Sequence, residues 1–389
     1  VSQRWAEVAP IRAAALVFVI VGPVGWLLFF VLFHRAPAQD LMVFHTAGRL
    51  AVAHDWALLR DGPAFTDLLN RTHAGWLGAP LVLHPWVYPP PGLLLAALIG
   101  SVNFVAAYVV FMGTSVAVLG WCLWRWWAGN GARRLWLVLV ALCPATAFCV
   151  GSGQLSFLIA AALLWALMLL PAQEFAAGCL LGLLLLKPQF GLMVPVALLA
   201  GRYWRAMAGA AASAGLLILL SFAFGMQPWR DWARLMFAHD PAFAAWMETG
   251  RHFGQSVDTV ARLLGGSGHV ATLAQVLAIL LAAACVWRAF ARPLDLQRRG
   301  VVLLCAAVLA APHVGNYDAV LLGIAAVTML ARGIERRLAP ATAALAAAAW
   351  LGSLINPPAL IEMLGVPLLT AASLATPLVT AALMVSALL

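Results

Sequence analysis

Four short stretches place groups that are costly in hydrocarbon beside long apolar runs: "QDLMVFHTAGR" at 39–49, "GSGQLS" at 151–156, "LLKPQFGL" at 185–192 and "APHVGNYD" at 311–318. Each must face protein, water or a ligand, because an unserved polar group in lipid costs several kcal/mol. The chemistry open to them follows from the residue types. Asp40 is a carboxylate that could take the proton of an attacking hydroxyl as a general base; otherwise it is a solvated loop acid, or the N-cap of the helix that follows. Lys187, preceded by "GLLLL" and followed by Pro188, is an ammonium at a helix break and calls for something anionic. A lipid phosphate would serve, or the side chain could reach the headgroups at the membrane surface. Asp318 is suited either to bind sugar hydroxyls or to pair with a basic neighbour. Tyr88 and Trp86 offer ring faces on which a sugar could stack, although Trp86 also suits a membrane-interface belt.

The elements that must position these groups are membrane helices. The chain has 389 residues, of which 64% are hydrophobic and only 10% charged, with a mean hydropathy of +0.96. A soluble domain carries roughly 25% charged residues. Apolar runs able to cross or half-cross a hydrocarbon core of ~30 Å recur near 11–33, 88–124, 135–150, 154–170, 175–201, 205–225, 270–291, 299–331, 338–355 and 366–388. The runs at 175–201 and 299–331 are interrupted by "LKPQF" and "APHVGNYD", which predicts a hairpin of two short helices in each. The expectation is an all-α polytopic membrane protein with about twelve crossings, forming a single domain without repeats or a separate soluble part. "APAQD" has the small-x-small pattern of a signal-peptidase site, but the run before it exceeds the roughly 7–15 residues of a signal core, so cleavage is not expected.

The net charge of +9 suggests nucleic acid only superficially. No basic block alternates with aromatics as a backbone-tracking groove requires, and the arginines fall between apolar runs. With both termini cytoplasmic, the inner loops hold Arg4, Arg12, Arg125, Arg133, Arg134, Arg202, Arg205, Arg288, Arg292, Arg298, Arg299, Arg332, Arg336 and Arg337 against Glu7, Glu174, Asp295 and Glu335. That bias obeys the positive-inside rule. It requires 88–124 to make one net crossing, so that "YPPPGLLLAALIG" is an interfacial or re-entrant piece. The outer side then collects the other ten of the fourteen acids and all nine histidines. Two long outer loops result: 34–87, opening with an amphipathic helix and ending in the stiff "HPWVYPPPG", and 226–269, whose Trp229, Trp232, Trp246, Phe237 and Phe243 suit the interface and whose polar residues could cap a cavity. The six cysteines all lie in or at the ends of apolar runs without metal-type spacing, so neither disulfides nor a thiolate metal site is expected.

Taken in order, "QDLMVFHTAGRL", "VYPPPGLLLAAL", "GSGQLSFLIAAALL", "GCLLGLLLLKPQFGLMVPVALLAGRYWR", "GQSVDTVARLLGG" and "APHVGNYDAVLL" resemble glycosyltransferase family 87, polytopic enzymes of the GT-C class, over roughly residues 11–330. The resemblance implies transfer of a sugar, with mannose the best guess, from a polyprenyl-phosphate carrier to a glycolipid or glycan at the outer face of the plasma membrane, in one inverting displacement. It implies Asp40, in its "D-x-x-x-x-x-x-A-G-R" context, as general base. Lys187 and Gln189, helped by Arg251 or His252, would meet the leaving phosphate. His313 matches a cavity histidine of the family and would bind phosphate or donor sugar. His45, Tyr88, Gln154, Asn316 and Asp318 are the candidates for sugar or acceptor contact. Some GT-C enzymes use a divalent metal held by an adjacent acidic pair in the first loop; Asp40 has no acidic neighbour, so no metal and no other cofactor is expected. The competing reading is a secondary transporter or lipid flippase, which should show ionisable residues near the midplane and often a repeat relating two halves.

Overall fold

The computed structural model describes residues 16, 19–24, 26, 27, 38–237, 254–336, 339–352 and 367–389. Among these the protein is helical throughout, with no strand beyond one isolated bridge between Gly254 and Gly315. Among the described residues three helices are long and apolar enough to cross a membrane: α5 (Phe104–Trp126), the span Trp204–Phe224 containing α11 (Trp204–Ser221), and α14 (Gly268–Ala291). A fourth span results if α6 (Arg133–Ala141) and α7 (Pro144–Ser152), bent by 56° at their break, are counted as one. The apolar runs behind the expected twelve crossings are in large part divided into shorter helices, because polar turns and prolines interrupt them. Large apolar side chains point outward on the long helices, among them Val109 and Val110 on α5, Leu216 and Leu219 on α11, and Leu273, Leu277 and Leu280 on α14. Such a surface suits lipid better than water.

The centre is a hairpin of α15 (Leu296–Ala310) and α16 (Val320–Arg336). Every residue of α15 from Gly300 to Ala310 is buried, as an all-round apolar helix must be. Arg332, near the end of α16, pairs with Asp295, which caps the start of α15. The two helices are therefore antiparallel, with "APHVGNYD" at the tip.

A second hairpin holds "LKPQF" at its tip. α9 (Glu174–Gly182) packs on α11 without spacer side chains: a Cβ at Gly178 would lie 1.9 Å from the Ala206 carbonyl oxygen, and one at Gly182 would lie 1.9 Å from Ser213 Oγ. This is the close backbone approach that small residues permit between membrane helices. Gly178 meets Ala206 and Gly182 meets Ala210 and Ser213, so α9 and α11 run in parallel and the intervening α10 (Val194–Ala200) runs back. Between them, 3-10 turns Leu183–Leu186 and Pro188–Gly191 flank Lys187, whose φ of −143° and ψ of 71° follow from the exclusion of α geometry before proline.

Near these tips lies a surface layer formed by α1 (Gln39–Ala53), α2 (Trp56–Arg60), α3 (Gly62–Thr72) and the proline-rich stretch, leading into α4 (Gly92–Gly100). With nine residues, α4 is about 14 Å long at 1.5 Å per residue and does not span a bilayer, as the expected re-entrant piece requires. Gly48 lets α1 touch the α4 backbone, since a Cβ there would fall 1.8 Å from the Ala96 carbonyl oxygen. The remaining helices are α8 (Ser156–Leu169), α12 (Gln227–Phe237), α13 (Val257–Leu263), α17 (Pro340–Leu351) and α18 (Pro367–Ser386). Of the aromatics expected at the interface in the second long loop, Phe243 and Trp246 lie outside the described residues.

Candidate active site

Asp40 stands in the first turn of α1, but it is not the cap. The cap position belongs to Ala38, which adopts a left-handed φ of 67° and makes no side-chain cap; its N–H donates to the carbonyl of Gly151. Gly153, the left-handed cap of α7 at φ 70°, closes the same contact. A Cβ there would come within 2.7 Å of Leu41 Cβ. The "GSGQLS" turn thus clamps the start of α1 from below, and this fixes where the Asp40 carboxyl points.

Gln154, in the same turn and 1% exposed, links three of the polar stretches. Its side-chain amide hydrogen-bonds Asp40, and since a carboxylate only accepts, the NH2 group faces Asp40. Its Oε1 accepts from the Tyr88 hydroxyl and from Lys187 Nζ, both at 3.4 Å. Lys187 in turn donates to Asp318 Oδ1 at 2.6 Å. Ser156 Oγ donates to the same oxygen at 2.6 Å, and the Gly315 N–H donates to Oδ2 at 2.9 Å. Lys187 is 4% and Asp318 1% exposed, so this is a buried ion pair tied down by neutral donors, the condition under which such a pair is tolerated. The carboxylate balancing Lys187 comes from the other hairpin tip.

One face of this network opens on a cavity of 160 Å³ lined by Asp40, His84, Tyr88, Gln154, Lys187, Gln189, His313 and Tyr317, with Trp232 and Met236 of α12 on its far side. Burial raises the Asp40 pKa above its ordinary value, opposed by the hydrogen bond from Gln154 and by the charges of His84 and Lys187. Burial pushes His84 the other way, down, against the pull of the Asp40 charge. The cavity therefore brings together a carboxyl of increased basicity and donors that suit an anion: an ammonium, an amide and an imidazole. Among the described residues no three His, Cys, Asp or Glu side chains converge as a metal site.

A family model extends the resemblance seen in the motifs: that of glycosyltransferase family 87 matches residues 86–312. The chain belongs to glycosyltransferase family 87. Of the two readings left open by the sequence, transferase therefore stands and transporter falls. No curated protein and no solved structure matches the chain. The matched segment of this family 87 protein includes Tyr88, Gln154, Lys187 and Gln189, begins after Asp40 and stops one residue before His313.

Of the candidates from the sequence, Asp40, Tyr88, Gln154, Lys187, Gln189 and His313 share the cavity. Three are placed elsewhere. His45 sits on the inner face of α1, where Nε2 contacts the Val102 carbonyl at 3.0 Å and the ring packs edge-on against His73 and Phe104; it anchors α1 to the start of α5. Asn316 accepts from Gln255 Nε2 at 3.1 Å and ties the tip to the segment before α13. Asp318 is the counter-ion of Lys187, and its three hydrogen bonds come from protein groups. Arg251 and His252 lie outside the described residues.

His84 and Trp232 also line the cavity, and neither stands in a motif that marks it as a site residue. His84 opens the stretch read as a stiff interfacial segment, and its signal was the proline after it: Pro85 restricts the backbone, while the His84 N–H is held by Thr66 Oγ1 at 3.0 Å. Trp86, proposed for stacking, is buried edge-on against Phe44 at 5.2 Å and lines a neighbouring cavity.

Proposed function

We propose that this family 87 glycosyltransferase takes its sugar, with mannose the first choice, from a polyprenyl-phosphate donor and transfers it with inversion to a glycolipid or glycan at the extracytoplasmic face of the plasma membrane. The observation that carries the reading is that a single cavity is lined both by a buried carboxyl of raised pKa and by the Lys187, Gln189 and His313 side chains. The acceptor hydroxyl passes its proton to Asp40 as its oxygen attacks the anomeric carbon. The bond from that carbon to the phosphate oxygen breaks, and its electron pair leaves with the phosphate. The phosphate gains a negative charge in doing so, and donors fixed in place before the reaction are what such charge development requires. Lys187 has three N–H bonds; Asp318 and Gln154 engage two, leaving one for the phosphate. A single displacement with base and leaving group on opposite sides of the sugar inverts the anomeric centre. No divalent metal takes part in this scheme.

The test compares wild type with Asp40→Asn in nanodiscs, using short-chain polyprenyl-phosphate sugars and host lipid extract, with and without chelator. The expected result is transfer by the wild type that chelator does not change, and donor binding by Asp40→Asn with transfer at least ~100-fold slower, within the range for removal of a general base. Full activity in Asp40→Asn would remove the assignment of the base, and loss of activity with chelator would remove the metal-free scheme.

A further inference from the structure

A second cavity, of 370 Å³, adjoins the one that holds Asp40. Pro85, Tyr88 and Trp232 line both and so form the partition between them. The second cavity is walled by Trp56 and Trp86 and carries charge from Arg60, Asp231 and Arg234. One of its polar groups lacks a partner, and another is only loosely held by its counter-charges. Trp232 Nε1 is a buried N–H with no hydrogen-bond partner among the described residues, a state that costs about 1–3 kcal/mol unless a ligand or water supplies an acceptor. Asp231, with a side chain only 12% exposed, has the guanidinium groups of Arg60 and Arg234 at 3.8 Å, beyond hydrogen-bond length; its short contact is with Gln227 Nε2 at 2.9 Å.

Flat aromatic faces, a carboxylate to accept from hydroxyls, and guanidinium and indole N–H groups to donate to them match a ring that is apolar on its face and polar around its edge. We infer that this cavity binds the sugar ring of the acceptor, with Trp232 Nε1 donating to a ring hydroxyl and Asp231 accepting from another. The inference rests on the transferase reading for its place in the reaction: a ring held here presents its edge across the Tyr88 and Trp232 partition towards Asp40. The first cavity alone, less than half the volume, is left to the donor.

The experiment measures binding rather than turnover. Octyl mannoside is titrated into the full-length protein in nanodiscs without donor, with methyl mannoside and octanol as competitors, for the wild type, Trp232→Phe, Asp231→Asn and Asp40→Asn. Trp232→Phe keeps an aromatic ring and removes only the N–H, and Asp231→Asn keeps the shape and removes the charge. Each should weaken binding up to about tenfold, the loss of one hydrogen bond to a partner left without it. Asp40→Asn should still bind octyl mannoside, and that binding should be displaced by methyl mannoside, because Asp40 does not line this cavity and Trp232 and Asp231 are left in place. Methyl mannoside should compete and octanol should not. Wild-type affinity in both Trp232→Phe and Asp231→Asn, or displacement by octanol but not by methyl mannoside, would overturn the inference. Because no donor is present, active Asp40→Asn enzyme would defeat the transferase mechanism while leaving this result intact.

Discussion

The α15–α16 hairpin carries an ion pair at each end, and the two are built differently. At the tip, Asp318 pairs with Lys187 from another hairpin, both all but inaccessible, and Ser156, Gly315 and Gln154 complete the network. At the base, Asp295 and Arg332 pair bidentately within the same hairpin, the second bond at 2.7 Å, with exposures of 32% and 12%. The base pair joins the ends of two helices that already pack along their length. The tip pair links two separate hairpins, and its lysine lines the cavity that holds Asp40. Two salt bridges on one element can thus have opposite weights: one closes a hairpin, the other assembles a site.

The largest expected effect tests that contrast at the tip. Lys187→Met strands the Asp318 carboxylate in a buried site and should cost about 3–5 kcal/mol, read as a large fall in the thermal midpoint together with loss of donor binding. The double variant Lys187→Met with Asp318→Leu should recover much of the stability, since an apolar pair can replace a buried ionic one, but none of the transfer. If the single variant melts with the wild type, the tip is no more important to folding than the base.

A smaller effect sharpens the difference in chemistry. As the proposed base, Asp40 would have to be ionised to act, and its pKa is raised by burial, so the rate should fall about tenfold per pH unit starting at a higher pH than an ordinary aspartate would set. The same shift has a consequence for stability. A carboxyl whose folded pKa lies above its unfolded one holds its proton more tightly when folded; its contribution is full below the unfolded value and disappears as pH rises through the folded value. Asp40→Asn, which cannot ionise, should therefore melt above wild type at pH 7 and show no advantage at acid pH. Equal midpoints at both pH values would contradict the shift. The smallest effect belongs to the base: Arg332→Gln should cost no more than about 1 kcal/mol, as partly exposed pairs do, with transfer rates close to wild type.

The breaks at the two hairpin tips were legible in the sequence; the division of the other apolar runs into short helices, and the partners across the fold, were not. Pro188 and the polar "APHVGNYD" announce their breaks because proline and unpaired polar groups cannot continue an apolar helix. The short first piece of 88–124 follows from the positive-inside rule applied to the arginines around it. Lys187 asked for an anion, yet nothing local says that the anion is Asp318, 131 residues on. His45 and His84 look alike as histidines in a polar stretch. Helical phase turns His45 onto the face of α1 packed against Val102 and Phe104, whereas the extended backbone before Pro85 leaves His84 at the cavity. The sequence could place these groups near a site, but which of them face it depends on how α1 docks on the "GSGQLS" turn, a tertiary contact made through Ala38, Gly151 and Gly153.

The separation between Lys187 and Asp318 is also an interval of time. At about 5–20 residues per second of synthesis, the lysine precedes its carboxylate by roughly 7–26 s. During that interval its hairpin has no protein counter-charge from this pair and must keep the ammonium where water or lipid phosphate reaches it. Its carboxylate partner exists only once "APHVGNYD" is made, so the cavity that Lys187 lines cannot be completed before that point in synthesis.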